Sequence, residues 1–192
     1  MSALTRDDET RLLTLVYQAI EHGLNHGRAM AVRLEEFPAH LGEPAATFVT
    51  LYRETAFQGC IGSLEARRPL AADVAHNAYA SAFHDRRGRR LSAVDLPVLR
   101  ANISVLSKAE PIAFSDEEHL RAQLRPGIDG LILEEQGGHV GTLLPSVWKS
   151  LPTPQAFLDH VKLKAGLAAD HWSPTVRVSR YTTHIFGNAI DD

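Results

Sequence analysis

The sequence predicts an α+β fold with largely antiparallel sheets, built from hairpins with intervening helices. Three observations predict it. Short segments suited to strands arrive in pairs joined by turns, at 47–52 with 57–64 and at 131–134 with 140–144. Stretches with apolar residues at helical spacing lie between those pairs. Strands and helices do not alternate one for one, which argues against a doubly wound parallel sheet. A chain of 192 residues is long enough for one good core, or for two small subdomains sharing one. We read 1–192 as a single domain, with a loose break near 111–115 that lacks linker composition.

The elements follow in order. Thr5 and Asp8 resemble a capping box, with Asp in place of Glu or Gln. Leu12, Leu13, Val16, Ile20 and Leu24 then recur at helical spacing, and Gly23 and Gly27 close the helix. Residues 37–46 hold two prolines and a glycine and read as a loop. The first hairpin is 47–52, a short turn at 53–56, and 57–64. Pro69 suits the first turn of a helix running to about Phe83, with the small residues Ala72, Ala75, Ala78 and Ala82 on its face. Residues 85–90 form a loop, 95–99 a helical turn and 101–107 a strand. Ser115 is the expected cap of a helix over 116–124, with Glu117 and Glu118 where the helix dipole favours them. The second hairpin turns around Gln136-Gly137-Gly138. Pro145 opens a short helix through Trp148, Thr153 and Pro154 start another that ends at Gly166, and 175–181 is the last strand.

Composition excludes several classes of function. Hydrophobic content of 44% and charged content of 22% are ordinary for a globular chain. A net charge of −3 makes nucleic acid an unlikely partner, since a chain-wide footprint would be basic. No apolar run reaches the roughly 18–20 residues that span a bilayer, so no membrane partner is expected. The polar, acidic start MSALTRDDETR lacks the apolar run of a signal peptide, and none is expected. With one cysteine, a reducing cytoplasm is the expected location. No dinucleotide fingerprint, phosphate loop or nucleophile elbow appears, and no cofactor is expected.

The stretch Phe57-Gln58-Gly59-Cys60-Ile61-Gly62 carries the most information. Strict alternation would turn Phe57 and Ile61 toward the core and Gln58, Cys60 and Gly62 to the other face. Cys60 has two readings: a buried small hydrophobe, or a nucleophilic or redox thiol with a lowered pKa. Gln58 offers an amide and Gly62 leaves space beside it, so Gln58, Gly59 and Gly62 are candidate ligand contacts. Asp73 and His76 are one helical turn apart, and His76 is a candidate helper that could activate Cys60. Binding of a metal by Asp73, His76 and His84 is disfavoured, because Asp73 and His84 are three turns apart, so no metal site is expected. Glu65, Asp85 and Arg87 are further candidate ligand contacts; the Asp85-x-Arg87 pair reads either as a local salt bridge shaping its turn or as the rim of a cleft. Arg86, Arg87, Arg89 and Arg90 form the densest positive cluster.

These residues resemble a known family, named for the AMME-syndrome candidate protein, whose bacterial members are called AmmeMemoRadiSam system protein A. The family hallmark Leu-Arg-Gly-Cys-Ile-Gly aligns with Phe57 to Gly62, and further similar stretches are ARRPLAADVAHNAYASAF, ISVLSKAEP, GIDGLIL, GTLLPSVWKSL and KLKAGL. The chain departs at Gln58, where the family usually has Arg, and a neutral amide cannot stabilise a thiolate as a guanidinium would. It departs again after Asp85: the family reads Asp-Pro-Arg-Phe-Pro-Pro, and here only Asp85 and Arg87 match. The resemblance implies one domain of this type and a component of a radical S-adenosylmethionine/Memo-linked modification pathway. The implied partners are a radical S-adenosylmethionine protein and a Memo-type protein; the residues around Cys60, apart from the resemblance, offer a candidate cleft for a small-molecule ligand. A non-catalytic partner or scaffold, and a nucleic-acid-associated factor, are the alternatives.

Overall fold

The computed structural model describes residues 4–188 and resolves them into two compact units; the ends of the 1–192 span lie outside the described residues. One unit takes the described residues up to Leu106 and from His184 onward, the other Ser107–Thr183.

In the first unit, helix α1 (Arg6–His26) begins at the capping box. The Thr5 hydroxyl accepts from the Asp8 N–H at 3.2 Å, and the Asp8 carboxylate accepts from the Thr5 N–H at 2.9 Å. Two short strands, β1 (Pro44–Ala45) and β4 (Arg68–Pro69), pair antiparallel and bracket the first hairpin, β2 (Thr47–Arg53) and β3 (Ala56–Gly62). Helix α2 (Leu70–Phe83) follows, and then β5 (Leu99–Leu106), which pairs antiparallel with the far side of β2. The buried alternation of Val49 and Leu51 with Ala101, Ile103 and Val105 meets α1 and α2 in one apolar cluster that includes Leu12, Val16, Ile20, Val74 and Ala78.

In the second unit, β6 (Glu110–Pro111), helix α3 (Glu117–Gln123), β7 (Gly130–Glu135), β8 (His139–Leu143), helix α4 (Pro154–Lys164) and β9 (Arg177–Tyr181) follow in sequence. Its sheet order is β6-β9-β7-β8, antiparallel throughout. Trp148 stacks on Phe157 at 3.9 Å between ring centres, above Leu131, Leu133 and Val161. Each unit therefore has its own cluster of buried apolar side chains. The cap of α3 is Asp116, one residue after Ser115, because the Asp116 carboxylate reaches the His119 N–H at 2.8 Å.

The chain then adds an unexpected strand, β10 (Thr183–Gly187), to the first sheet, which reads β10-β5-β2-β3. This architecture is α+β with antiparallel pairing, as the hairpin pattern predicts. Among the described residues, no helix is long and apolar enough to cross a membrane.

Candidate functional site around Cys60

Strand β3 is an edge strand, and its register with β2 fixes which way each side chain points. Val49 faces Ile61, Thr50 faces Cys60 and Leu51 faces Gly59; the register then slips, so that Tyr52 faces Phe57. Gln58 is the extra residue of a β-bulge. Directly opposed residues share a face. A Cβ on Gly59 would lie 2.3 Å from the Ser81 carbonyl oxygen of α2, so the Leu51/Gly59 face is the one covered by that helix. The Thr50/Cys60 face is the opposite one, and Asn102, which faces Thr50 from β5, shares it.

The bulge corrects the simple alternation. Phe57 pairs with Tyr52 on the Cys60 side and is 43% exposed instead of entering the core. Its ring meets Tyr52 edge-on at 6.2 Å. Gln58 is buried and donates from Nε2 to the Arg89 carbonyl at 2.5 Å, so the amide ties down its own loop. Gly62 does not leave open space either. A Cβ there would lie 2.3 Å from both the Phe48 ring and the Thr47 carbonyl oxygen.

The backbone of Cys60 is held by the Asp85-x-Arg87 pair. Its N–H donates to Asp85 Oδ2 at 2.8 Å, and its carbonyl accepts from the Arg87 guanidinium at 2.9 Å. The two side chains also bind each other, Arg87 Nη2 to Asp85 Oδ2 at 2.6 Å and Arg87 Nε to Asp85 Oδ1 at 3.0 Å. An edge strand normally leaves such groups unpaired; here one acid and one base replace the missing neighbour. Ser81 of α2 sits instead between the two strands of the hairpin, accepting from the Ile61 N–H at 2.8 Å and donating to the Val49 carbonyl at 2.7 Å. The Arg87 guanidinium, then the Cys60 and Arg87 N–H groups, hold the Asp85 carboxyl well below the usual carboxylate range against the effect of burial. Arg87 also lies 5.0 Å above the Phe57 ring centre, a cation–π arrangement on the exposed side.

The thiol is half-buried, and the Thr50 hydroxyl donates to Sγ at 3.1 Å. Burial pushes its pKa up; Thr50 and Arg87 pull the other way and do not overcome it. His76 is exposed on α2, which covers the opposite face of the sheet from Sγ. Asp73, its expected carboxylate neighbour, is fully buried and committed elsewhere. It accepts from the Thr47 N–H at 3.0 Å, the Thr47 hydroxyl at 2.7 Å, Asn77 Nδ2 at 2.9 Å and Arg68 at 3.2 Å. The fold thus gathers Cys60, Asp85 and Arg87 and places His76 apart from them. Glu65 is exposed and paired with Arg67, beside Ser63. Thr50, Asn102, Tyr52 and Ser81 join the site without having been singled out in the sequence; the hairpin pairing of 47–52 with 57–64 was the signal for Thr50. Among the described residues, no group of three or more His, Cys, Asp or Glu is arranged to hold a metal ion.

Comparison with known proteins agrees with this architecture. The AMMECR1 family pattern matches residues 13–186. A protein of Thermofilum pendens is 32% identical over 97% of this chain and 92% of its own length. One of Methanothermobacter thermautotrophicus is 30% identical over 95% of each. The crystal structure of an uncharacterized protein from Pyrococcus horikoshii superimposes with a TM-score of 0.83 at 32% identity, covering 92% of this chain and 89% of that one. With the family pattern extending from α1 into β10, this chain belongs to the AMMECR1 family.

Proposed function

We propose that this protein is a cytoplasmic component of a radical S-adenosylmethionine/Memo-linked modification pathway, and that its Cys60 face serves recognition and not thiol chemistry. Family membership supports the pathway, through the resemblance set out above. The observation that carries the recognition role is the state of Cys60. Burial raises its thiol, the Thr50 hydroxyl occupies it, and His76 belongs to a helix on the other face of the sheet. What that face presents is the half-buried pair Thr50 and Cys60, with Asn102 buried beside Thr50, bordered by the Arg87–Phe57–Tyr52 stack. A face of this kind suits a small polar ligand or a partner's side chain. The alternative of a nucleic-acid factor is disfavoured by charge: Arg87 is spent on Asp85, and Arg53 and Arg89 share Asp95.

Two measurements test the proposal. Iodoacetamide labelling of the native protein should reach half its maximal rate above the pH of a free cysteine, about 8.5; a midpoint clearly below that value would restore a catalytic thiol. Pull-down from native cells at mild salt should recover a radical S-adenosylmethionine or Memo-type protein, and Cys60→Tyr, which blocks the face, should reduce that recovery. Repeated recovery of the wild-type protein alone, with both candidate partners expressed, would sink the pathway assignment.

A further inference from the structure

The first unit holds a groove of about 450 Å³ between α1 and the segment after it. Its lining includes Glu21, His22, His26, Met30, Arg33 and Glu36. His22 and His26 are four residues apart on α1 and so lie on one face, the spacing at which two imidazoles on one helix can share an ion. Their rings stack at 4.2 Å with 20° between planes. His26 Nδ1 lies 3.1 Å from the His22 carbonyl oxygen. A carbonyl only accepts, so that nitrogen carries the proton and His26 Nε2 keeps its lone pair, the tautomer of a metal ligand. His22 Nε2 is buried and has no hydrogen-bond partner. Such an atom is unusual, and an ion is one of the things that satisfies it.

We propose that His22 and His26 form an exchangeable two-imidazole site for a divalent transition ion, with Cu²⁺ the tightest. Imidazole suits such ions, and the order of affinity at nitrogen sites peaks at copper. The two rings are stacked and His26 is exposed; exposed rotamers exchange rapidly, so the ion enters as His26 turns to share it with His22 Nε2. The surrounding charges balance, with Glu21 and Glu36 against Arg28 and Arg33, so the imidazoles and not the local field supply the affinity. Two protein ligands leave the remaining positions to water, which makes the ion exchangeable and not a support of the fold.

The test is Cu²⁺ titration of the tag-free full chain by calorimetry at pH 7.5, with electron paramagnetic resonance to identify nitrogen ligands. His22→Ala and His26→Ala should each weaken binding by roughly tenfold or more, and the resonance should change from two nitrogens to one. His160→Ala is the control. His160 makes the same Nδ1 contact to a helical carbonyl, Ala156, but has alanine and lysine one turn away on either side. Circular dichroism checks folding; His26 is exposed, so His26→Ala decides the matter if His22→Ala unfolds. Unchanged affinity in folded His26→Ala, or a loss seen only in His160→Ala, would overturn the site.

Discussion

At Asp85 one carboxylate meets donors of different origin: the Cys60 N–H from a strand 25 residues earlier, and the Arg87 guanidinium and N–H from its own loop. Its side chain is 5% exposed, so these donors have no water to replace it. Asp85→Ala leaves the Cys60 N–H without its acceptor, while the Arg87 guanidinium keeps the Cys60 carbonyl. The expected cost is on the order of 1–3 kcal/mol, the range for a buried donor left unsatisfied. Arg87→Ala should cost less, because the guanidinium is 64% exposed and the Asp85 carboxylate it leaves still accepts from the Cys60 N–H. Urea unfolding of the two variants measures both; equal costs would mean that the pair acts as one unit and not as an acid with an optional base. The sequence displayed this pair only as an Asp-x-Arg spacing. The local bond was legible there, because it spans two residues. Its attachment to Cys60 was not, since it depends on where the chain brings β3.

The same division by range holds for elements. The capping box of α1 and the two hairpins were legible because each is set by residues within a few positions of one another. The bulge was not. It exists because the Gln58 amide finds the Arg89 carbonyl 31 residues later, and it turns Phe57 out of the core and onto the Cys60 side. Strand β10 was missed for a similar reason: its pairing with β5 closes a separation of about eighty residues that no local pattern records. The glycines of β3 give this scale its prediction. A Cβ at Gly59 meets the backbone oxygen of Ser81 at 2.3 Å, and its nearest side-chain contact is Asp85 Cβ at 3.2 Å. At Gly62 the two closest atoms, both at 2.3 Å, are the Thr47 backbone oxygen and Phe48 Cγ, the root of the ring, which stays in place when the ring turns. Gly59→Ala must push α2 away from the sheet and should destabilise by about 1–3 kcal/mol, the usual range for overpacking. Gly62→Ala should cost at least as much, because it must displace Phe48 and the Thr47 backbone of β2 together. Thermal melting ranks the two, and a clearly smaller loss for Gly62→Ala would mean that β2 yields to β3 more readily than α2 does.

Across the whole molecule, each unit contains carboxylates whose pKa values folding depresses. In the first, Arg87 lowers Asp85, and the Ser92 hydroxyl and N–H lower Asp95 with help from Arg53. In the second, the Ser173 and Thr175 hydroxyls bring Glu135 down to about 2 against burial, with the Gln136 N–H and His171 assisting. The sign follows from linkage. A depressed carboxyl contributes its stability above the unfolded value, about 3.9 for Asp and 4.3 for Glu, and loses it as the pH falls toward the folded value. Both units should therefore hold steady from neutral pH to about 5 and lose stability from about pH 4 downward. The two tryptophans, Trp148 and Trp172, both lie in the second unit, so their fluorescence follows that unit while far-ultraviolet circular dichroism follows both. Glu135→Gln removes the depressed group but keeps a partner for the hydroxyls. It should lower the melting temperature at pH 7 and flatten the acid arm of the tryptophan-detected transition between about pH 4.3 and 2, while the dichroism transition, which includes the first unit, keeps an acid-sensitive part. An acid arm in tryptophan fluorescence that is unchanged by Glu135→Gln would assign the pH response of the second unit to some other group.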